Sequence, residues 1–306
     1  MLRRACSTLP PLFLLLLSLC AWGTPQFTGS DRGGPGIGSA ALATLRQEQP
    51  PTVTAASALL LDDASGTLLW ARRPQVRRAP ASLTKMMTAL VVRAADPVSS
   101  VFTISALAAA TPGSRMNLVA GQRLTVQQLL YGLLLPSGND AAVALAQGTA
   151  GSIPAFVAQM NARAAAMGLT GTHFVNPHGL DATDHYSTAL DLANLGAAVL
   201  RDPVLAQIVR TPQEIIRASD GQVLFDLQNL NQLLGVYPGV DGIKTGTTTA
   251  AGENLVVADV RDGHQVIAVV LGSADRYADA RALLDMGWAD WRWLQPQLPP
   301  LATLDG

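Results

Sequence analysis

The chain has 306 residues, is 49% apolar and carries a net charge of −1, enough for one large or two modest domains with a substantial core and too apolar for a disordered chain. Arg72-Arg73 and Arg77-Arg78 are among its longest basic runs and aromatics make up only 5%, which disfavours nucleic-acid binding. Arginine outnumbers lysine 19 to 2, so Lys85 and Lys244 are exceptions to a strong preference.

Residues 1–23 read as an export signal, with Arg3 and Arg4 as the charged start, Leu12 to Trp22 as the apolar stretch and Ala21-Trp22-Gly23 as the cleavage site. Both cysteines, Cys6 and Cys20, fall inside it, so the processed protein would contain no disulfide. No membrane association is expected beyond this segment. Residues 24–51 are rich in Gly, Pro, Ser and Gln and read as a flexible spacer. Their glycines do not complete a G-x-G-x-x-G phosphate loop. A folded domain is expected over 52–294, followed by a short tail, 295–306.

The domain opens with a predicted hairpin, Ala56 to Leu61 and Thr67 to Trp70 around Asp62–Gly66. Next comes Pro80-Ala81-Ser82-Leu83-Thr84-Lys85, which places a hydroxyl and an amine three residues apart at a helix start, on one face. The apolar run after it, Met86 to Val92, predicts a buried helix. Burial and the N–H groups of the first turn both favour a neutral Lys85 amine, one able to accept the serine proton. Arginine cannot release a proton in a protein, which explains why a lysine stands here.

Thr125 to Leu135 predicts a helix stopping at Pro136-Ser137-Gly138-Asn139, with Asp140 as the cap of a second helix, Ala141 to Gln147. Pro154 leads a helix over 155–167 closed by Gly168, and Thr188-x-x-Asp191 reads as a capping box for another up to Leu200. Strands follow: Glu214 to Ala218 with Val223 to Leu227 across Asp220-Gly221, then Asn254 to Val260 with Gln265 to Leu271 across Asp262-Gly263. Lys244-Thr245-Gly246 reads as an edge strand. A last helix, about Asp275 to Leu294, carries Tyr277, Ala280, Leu284, Trp288 and Trp291 as a stripe for packing on the sheet. Strands at both ends with helices between them predict one α/β domain whose helical part is an insertion. The four histidines form no H-E-x-x-H motif and no G-x-S-x-G is present, so neither a metal site, a cofactor nor a Ser-His-Asp triad is expected.

Ser-x-x-Lys (Ser82, Lys85), Ser-x-Asn (Ser137, Asn139) and Lys-Thr-Gly (Lys244, Thr245, Gly246) occur in the order characteristic of penicillin-binding proteins and serine β-lactamases. With Asn176-Pro177-His178-Gly179-Leu180 and Gly239 through Thr248, they make the chain resemble the S11 family of D-alanyl-D-alanine carboxypeptidases over about Ala56 to Trp288. The resemblance implies a β-lactamase/transpeptidase-like fold, an antiparallel sheet flanked by helices with an inserted, mainly helical subdomain. It implies action outside the cytoplasm on peptidoglycan stem peptides, with β-lactams as covalent inhibitors. Ser82 would be the nucleophile and Lys85 its base, with the oxyanion held by the N–H groups of Ser82 and Thr247. Ser137 would relay a proton to the leaving amine, Asn139 would hold the peptide amide, and Lys244 and Thr245 would face the terminal carboxylate.

Arg276 matches the family's additional carboxylate-binding arginine, although a solvated arginine at a helix start reads the same way. An endopeptidase cutting D-alanyl cross-links uses identical chemistry, and a cell-wall-binding protein without turnover is an alternative of another class. Many family carboxypeptidases continue into a second β-rich domain and a membrane anchor, which the short stretch after Leu294 does not resemble. Of the three glutamates, only Glu214 lies between Asn139 and Lys244, where a class A β-lactamase carries its deacylating glutamate, and it opens a strand. Asp181 and Asp184 are carboxylates that could in principle substitute for it.

Overall fold

The computed structural model describes residues 51–217 and 223–293. The export signal, nearly all of the spacer, the tail and the Asp220-Gly221 turn lie outside these residues. The central sheet is antiparallel and ordered β2-β1-β9-β8-β7, from β1 (Ser57–Asp62), β2 (Leu68–Arg72), β7 (Val240–Thr248), β8 (Gly252–Arg261) and β9 (His264–Ser273). Strands β1, β8 and β9 are continuous apolar runs because both sheet faces are covered. Alternate residues enter different cores. Leu59, Leu61, Val256 and Val269 join the helical side, while Ala58, Leu60, Leu255 and Val270 join the other.

The β8–β9 hairpin turns across Asp262 and Gly263, both at positive φ (50° and 79°), as the Asp-Gly pair predicts. Strand β7 pairs only with β8 and forms the sheet edge, so the lysine strand lies where the sequence places it. Two small sheets stand apart, β3 (Val101–Thr103) with β4 (Arg123–Thr125) and β5 (Gln213–Arg217) with β6 (Val223–Gln228). The first, with a four-residue helix between its strands, α2 (Ala106–Ala109), has elements too short to show a hydrophobic period.

Helix α1 (Thr84–Ala95) follows a 3₁₀ turn, Ala81–Leu83, and is buried from Thr84 through Val92. It sits among α3 (Val126–Leu134), α4 (Asn139–Ala150), α5 (Ile153–Ala166) and α6 (Ala189–Arg201). Helix α6 packs on β9, β1 and β8, and α7 (Pro203–Val209) leads on toward β7. Sliding α1 far enough to wet Lys85 would expose Met86, Met87 and Leu90, each worth about 1.5–3 kcal/mol of burial.

Helix α8 (Arg276–Asp290) covers the other face through Ala280, Leu283 and Leu284, with Asp275 as its cap. It ends before Trp291, which is 39% exposed and therefore not part of the packing stripe. Trp293 instead stacks on His264, packs against Trp288 and donates its indole N–H to Asp62 at 2.8 Å. Among the described residues no single helix is long and apolar enough to cross a membrane.

Two expected caps form differently. Helix α4 begins at Asn139 with Gly138 as its cap, so Asp140 stands inside the first turn. Its carboxylate accepts the N–H of Ala141 and reaches out to those of Met116 (2.8 Å) and Leu118 (3.0 Å). Thr188 caps α6 as expected, but the Asp191 carboxylate takes Gly171 N–H and the Thr172 hydroxyl instead of closing the box. In both places a buried carboxylate is drawn to backbone donors of a neighbouring loop, which would otherwise be unsatisfied.

Candidate active site

The 3₁₀ turn carrying Ser82 is gripped on two sides by glycines. A Cβ on Gly179 would lie 1.9 Å from Ala81 O, and one on Gly246 would lie 3.0 Å from Ser82 N. Both neighbours approach so closely that no larger residue fits without moving the turn. The serine N–H is thereby held against the edge strand β7. Asn254 adds a brace, donating from Nδ2 to Ala79 O and accepting Gly272 N–H on Oδ1.

Lys85 is fully buried. Its Nζ lies 2.9 Å from Ser82 Oγ, 2.8 Å from Asn139 Oδ1 and 2.7 Å from His178 O. Asn139 Nδ2 donates to Pro112 O at 2.7 Å, which fixes the amide with its oxygen toward the lysine. Two of the three neighbours are carbonyl oxygens and can only accept. A neutral amine has two hydrogens for them, and its lone pair is left facing Ser82 Oγ. Burial holds the Lys85 ammonium well below its ordinary pKa; the charge of Lys244 adds to this and Asp140 opposes it. The Lys85 amine thus lies within hydrogen-bond reach of Ser82 Oγ, in surroundings that disfavour its charged form.

Ser137 lies at φ +64° just ahead of α4, and among the described residues its buried Oγ has no hydrogen-bond partner. An unpartnered buried hydroxyl costs about 1–3 kcal/mol, so a ligand that supplies the partner is favoured. Lys244 is buried, donates to Thr245 O at 3.0 Å, and has a pKa lowered to about 7 by burial and by Arg276.

Arg276, only 9% exposed, donates through Nη1 to Gly246 O and Asn254 O and through Nη2 to Thr247 Oγ1. The reading of Arg276 as a solvated residue is therefore corrected, because the start of α8 is folded down onto the β7–β8 turn. Ser82, Ser137, Thr245, Gly246, Thr247 and Arg276 line one cleft of about 580 Å³. Lys85, Asn139 and Lys244 stand behind its wall.

Ser114, Glu253 and the His178 carbonyl are parts of this site that sequence reasoning did not single out. The run containing His178 was conspicuous, but nothing in it shows that its backbone reaches Lys85. The rings of His173, His178 and His185 have structural hydrogen bonds. His185 accepts Val175 N–H on Nδ1 and so donates from Nε2 to the Thr84 hydroxyl, and His178 Nδ1 accepts Leu180 N–H. Burial lowers the pKa of both to about 4, leaving them neutral. Asp181 accepts from Thr248 Oγ1 and Ala250 N–H, and Glu214 stands in β5 and does not line the cleft. Among the described residues no three His, Cys, Asp or Glu side chains group as a metal site.

A larger groove, about 760 Å³, opens at the far end of α1 and contains none of the motif residues. Its Arg93, Arg163 and Arg201 occupy the last turns of α1, α5 and α6, where they complement the helix dipoles.

A family profile described as D-alanyl-D-alanine carboxypeptidase, Peptidase_S11, matches residues 44–275. The chain is 36% identical over 245 residues to the D-alanyl-D-alanine carboxypeptidase DacF of Bacillus subtilis, covering 78% of this chain and 63% of that protein. It is 38% identical over 264 residues to DacA of Escherichia coli K12, covering 80% and 64%. The chain thus spans a little under two thirds of the length of these relatives. A solved structure titled Streptomyces K15 DD-transpeptidase superimposes with a TM-score of 0.74 at 33% identity, covering 79% of this chain and 100% of that one.

Proposed function

Because the chain belongs to the D-alanyl-D-alanine carboxypeptidase family, peptidase S11, and has its β-lactamase/transpeptidase-like fold, we propose that it is a serine-type D-alanyl-D-alanine carboxypeptidase acting on peptidoglycan stem peptides. The observation that carries the reading is the buried Lys85 amine, 2.9 Å from Ser82 Oγ with its other two neighbours able only to accept.

Ser82 Oγ gives its proton to Lys85 and attacks the carbonyl of the penultimate D-alanine. The oxyanion is held by the N–H groups of Ser82 and Thr247. Through Ser137 the proton reaches the departing amine as the C–N bond breaks, so free D-alanine leaves and an ester remains on Ser82. Water, deprotonated with the help of Lys85, hydrolyses the ester and restores the serine. Asn139 holds the peptide amide, and Lys244, Thr245 and Arg276 receive the terminal carboxylate, with Gly246 keeping the strand close. β-Lactams acylate the same serine; without a dedicated deacylating glutamate, that adduct persists. Export by residues 1–23 and work in the periplasm or cell-wall space complete the proposal, with 24–51 as spacer and 52–294 as the catalytic domain.

The test is incubation of the purified protein with a stem pentapeptide and with a cross-linked muropeptide. Release of D-alanine from the pentapeptide is expected, and its absence, with penicillin still bound, would reduce the protein to a binding function.

A further inference from the structure

Arg276 meets the cleft with most of its donors already committed. A guanidinium has five N–H groups. Two on Nη1 go to Gly246 O (3.0 Å) and Asn254 O (3.1 Å), and one on Nη2 goes to Thr247 Oγ1. Nε donates to Glu253 Oε2 at 3.2 Å, and the same oxygen accepts the Arg276 backbone N–H at 3.2 Å. One Nη2 hydrogen is left for a ligand.

Glu253 lines the same cleft as Ser82 and Thr247, and its side chain is 40% exposed against 10% for Arg276. Arg276 lowers the pKa of Glu253 through its hydrogen bond and its charge, so the carboxylate is ionised at neutral pH. Asp275, also on the cleft, caps the backbone of α8 with Oδ1. At this end of the cleft, then, Arg276 stands beside two resident carboxylates, Glu253 and Asp275.

We propose that Glu253 is a built-in competitor that occupies Arg276 in the empty site and weakens the preference for a substrate with a free terminal carboxylate. The inference rests on the carboxypeptidase reading, in which Arg276 receives that carboxylate. A substrate carboxylate reaching for the last Nη2 hydrogen is repelled by one already on the guanidinium, and because Glu253 is partly exposed, solvent screening keeps the effect moderate. Removing the charge should change substrate preference by roughly two- to fivefold. Glu253 does not touch the reacting atoms, so it acts on specificity and not on the chemical step.

Glu253→Gln retains an acceptor oxygen for Arg276 and for the first N–H of α8 while removing the charge, and Glu253→Ala removes both. The measurement is the specificity constant of the full chain for a peptide ending in D-Ala-D-Ala and for its C-terminal amide. Both variants should raise the acid-to-amide ratio through KM, with kcat within about twofold, less so in 0.5 M salt as charges are screened. The gain should vanish when Arg276→Gln is added. A ratio that is unchanged in Glu253→Gln, or that falls in Glu253→Ala, would overturn the proposal, the latter marking Glu253 as a residue that merely aims Arg276. If the unaltered protein releases no D-alanine, the carboxypeptidase reading fails instead. The competition is then read from Ser82 acylation by benzylpenicillin against its methyl ester, by intact-protein mass spectrometry, with the same rise in ratio expected and an unchanged ratio again overturning it.

Discussion

The chain's two lysines are both buried beside one cleft, yet their surroundings differ in a way that suits the opposite tasks proposed for them. Lys85, at the start of α1, is surrounded by a hydroxyl and two carbonyl oxygens, and burial holds its pKa well below the usual lysine value. Lys244, on the sheet edge, has one carbonyl acceptor, a pKa of about 7 and Arg276 as its neighbouring charge. Burial alone therefore does not define a base. What separates the two is the company each amine keeps: carbonyl acceptors and a serine hydroxyl around Lys85, one carbonyl and the Arg276 guanidinium around Lys244.

The largest expected effect comes from removing the hydroxyl proposed as the nucleophile. Ser82→Ala should abolish D-alanine release and the covalent penicillin adduct, as read by intact-protein mass spectrometry; an adduct surviving in this variant would assign the nucleophile elsewhere. Exchanging each lysine for arginine then tests the contrast directly. Lys85→Arg should slow acylation by about 10²- to 10⁴-fold, since general-base catalysis is worth that much and arginine keeps its proton. Lys244→Arg retains a cation and should cost no more than about tenfold, mostly in KM. Equal losses measured by stopped-flow acylation would erase the distinction.

Gly179→Ala tests whether the geometry of the Ser82 turn matters as much as the charges. Its Cβ would meet Ala81 O at 1.9 Å, and displacing the turn by an ångström should slow acylation by up to about 10²-fold. A thermal midpoint recorded beside the rate separates misplacement from unfolding.

The smallest effect is the pH profile. In the proposed mechanism Lys85 works as the free amine, so activity should rise as pH climbs through its depressed pKa. Lys244 would work as the cation, so affinity for a carboxylate should fall as pH rises through about 7. The expected kcat/KM profile has an upper limb, a loss of about tenfold or less carried by KM, which a C-terminal amide substrate should lack. An equally steep limb with the amide would remove Lys244 from carboxylate binding.

By itself the sequence determined the family and much of the local structure. Three short motifs marked the groups proposed to react, the scarcity of lysine singled out two of them, and the Asp262-Gly263 pair specified its turn. These features are legible because capping, turn geometry and apolar period act over a few residues. Tertiary structure decided what the groups became. It brought the His178 carbonyl to Lys85 across 93 residues of chain, drew Asp140 from capping its own helix to holding the Met116–Leu118 backbone, and folded Arg276 onto Thr247 and Glu253. Such pairings depend on which backbones can approach, as at Gly179 and Gly246, and on which buried donors lack acceptors. Both are settled only once distant segments have packed.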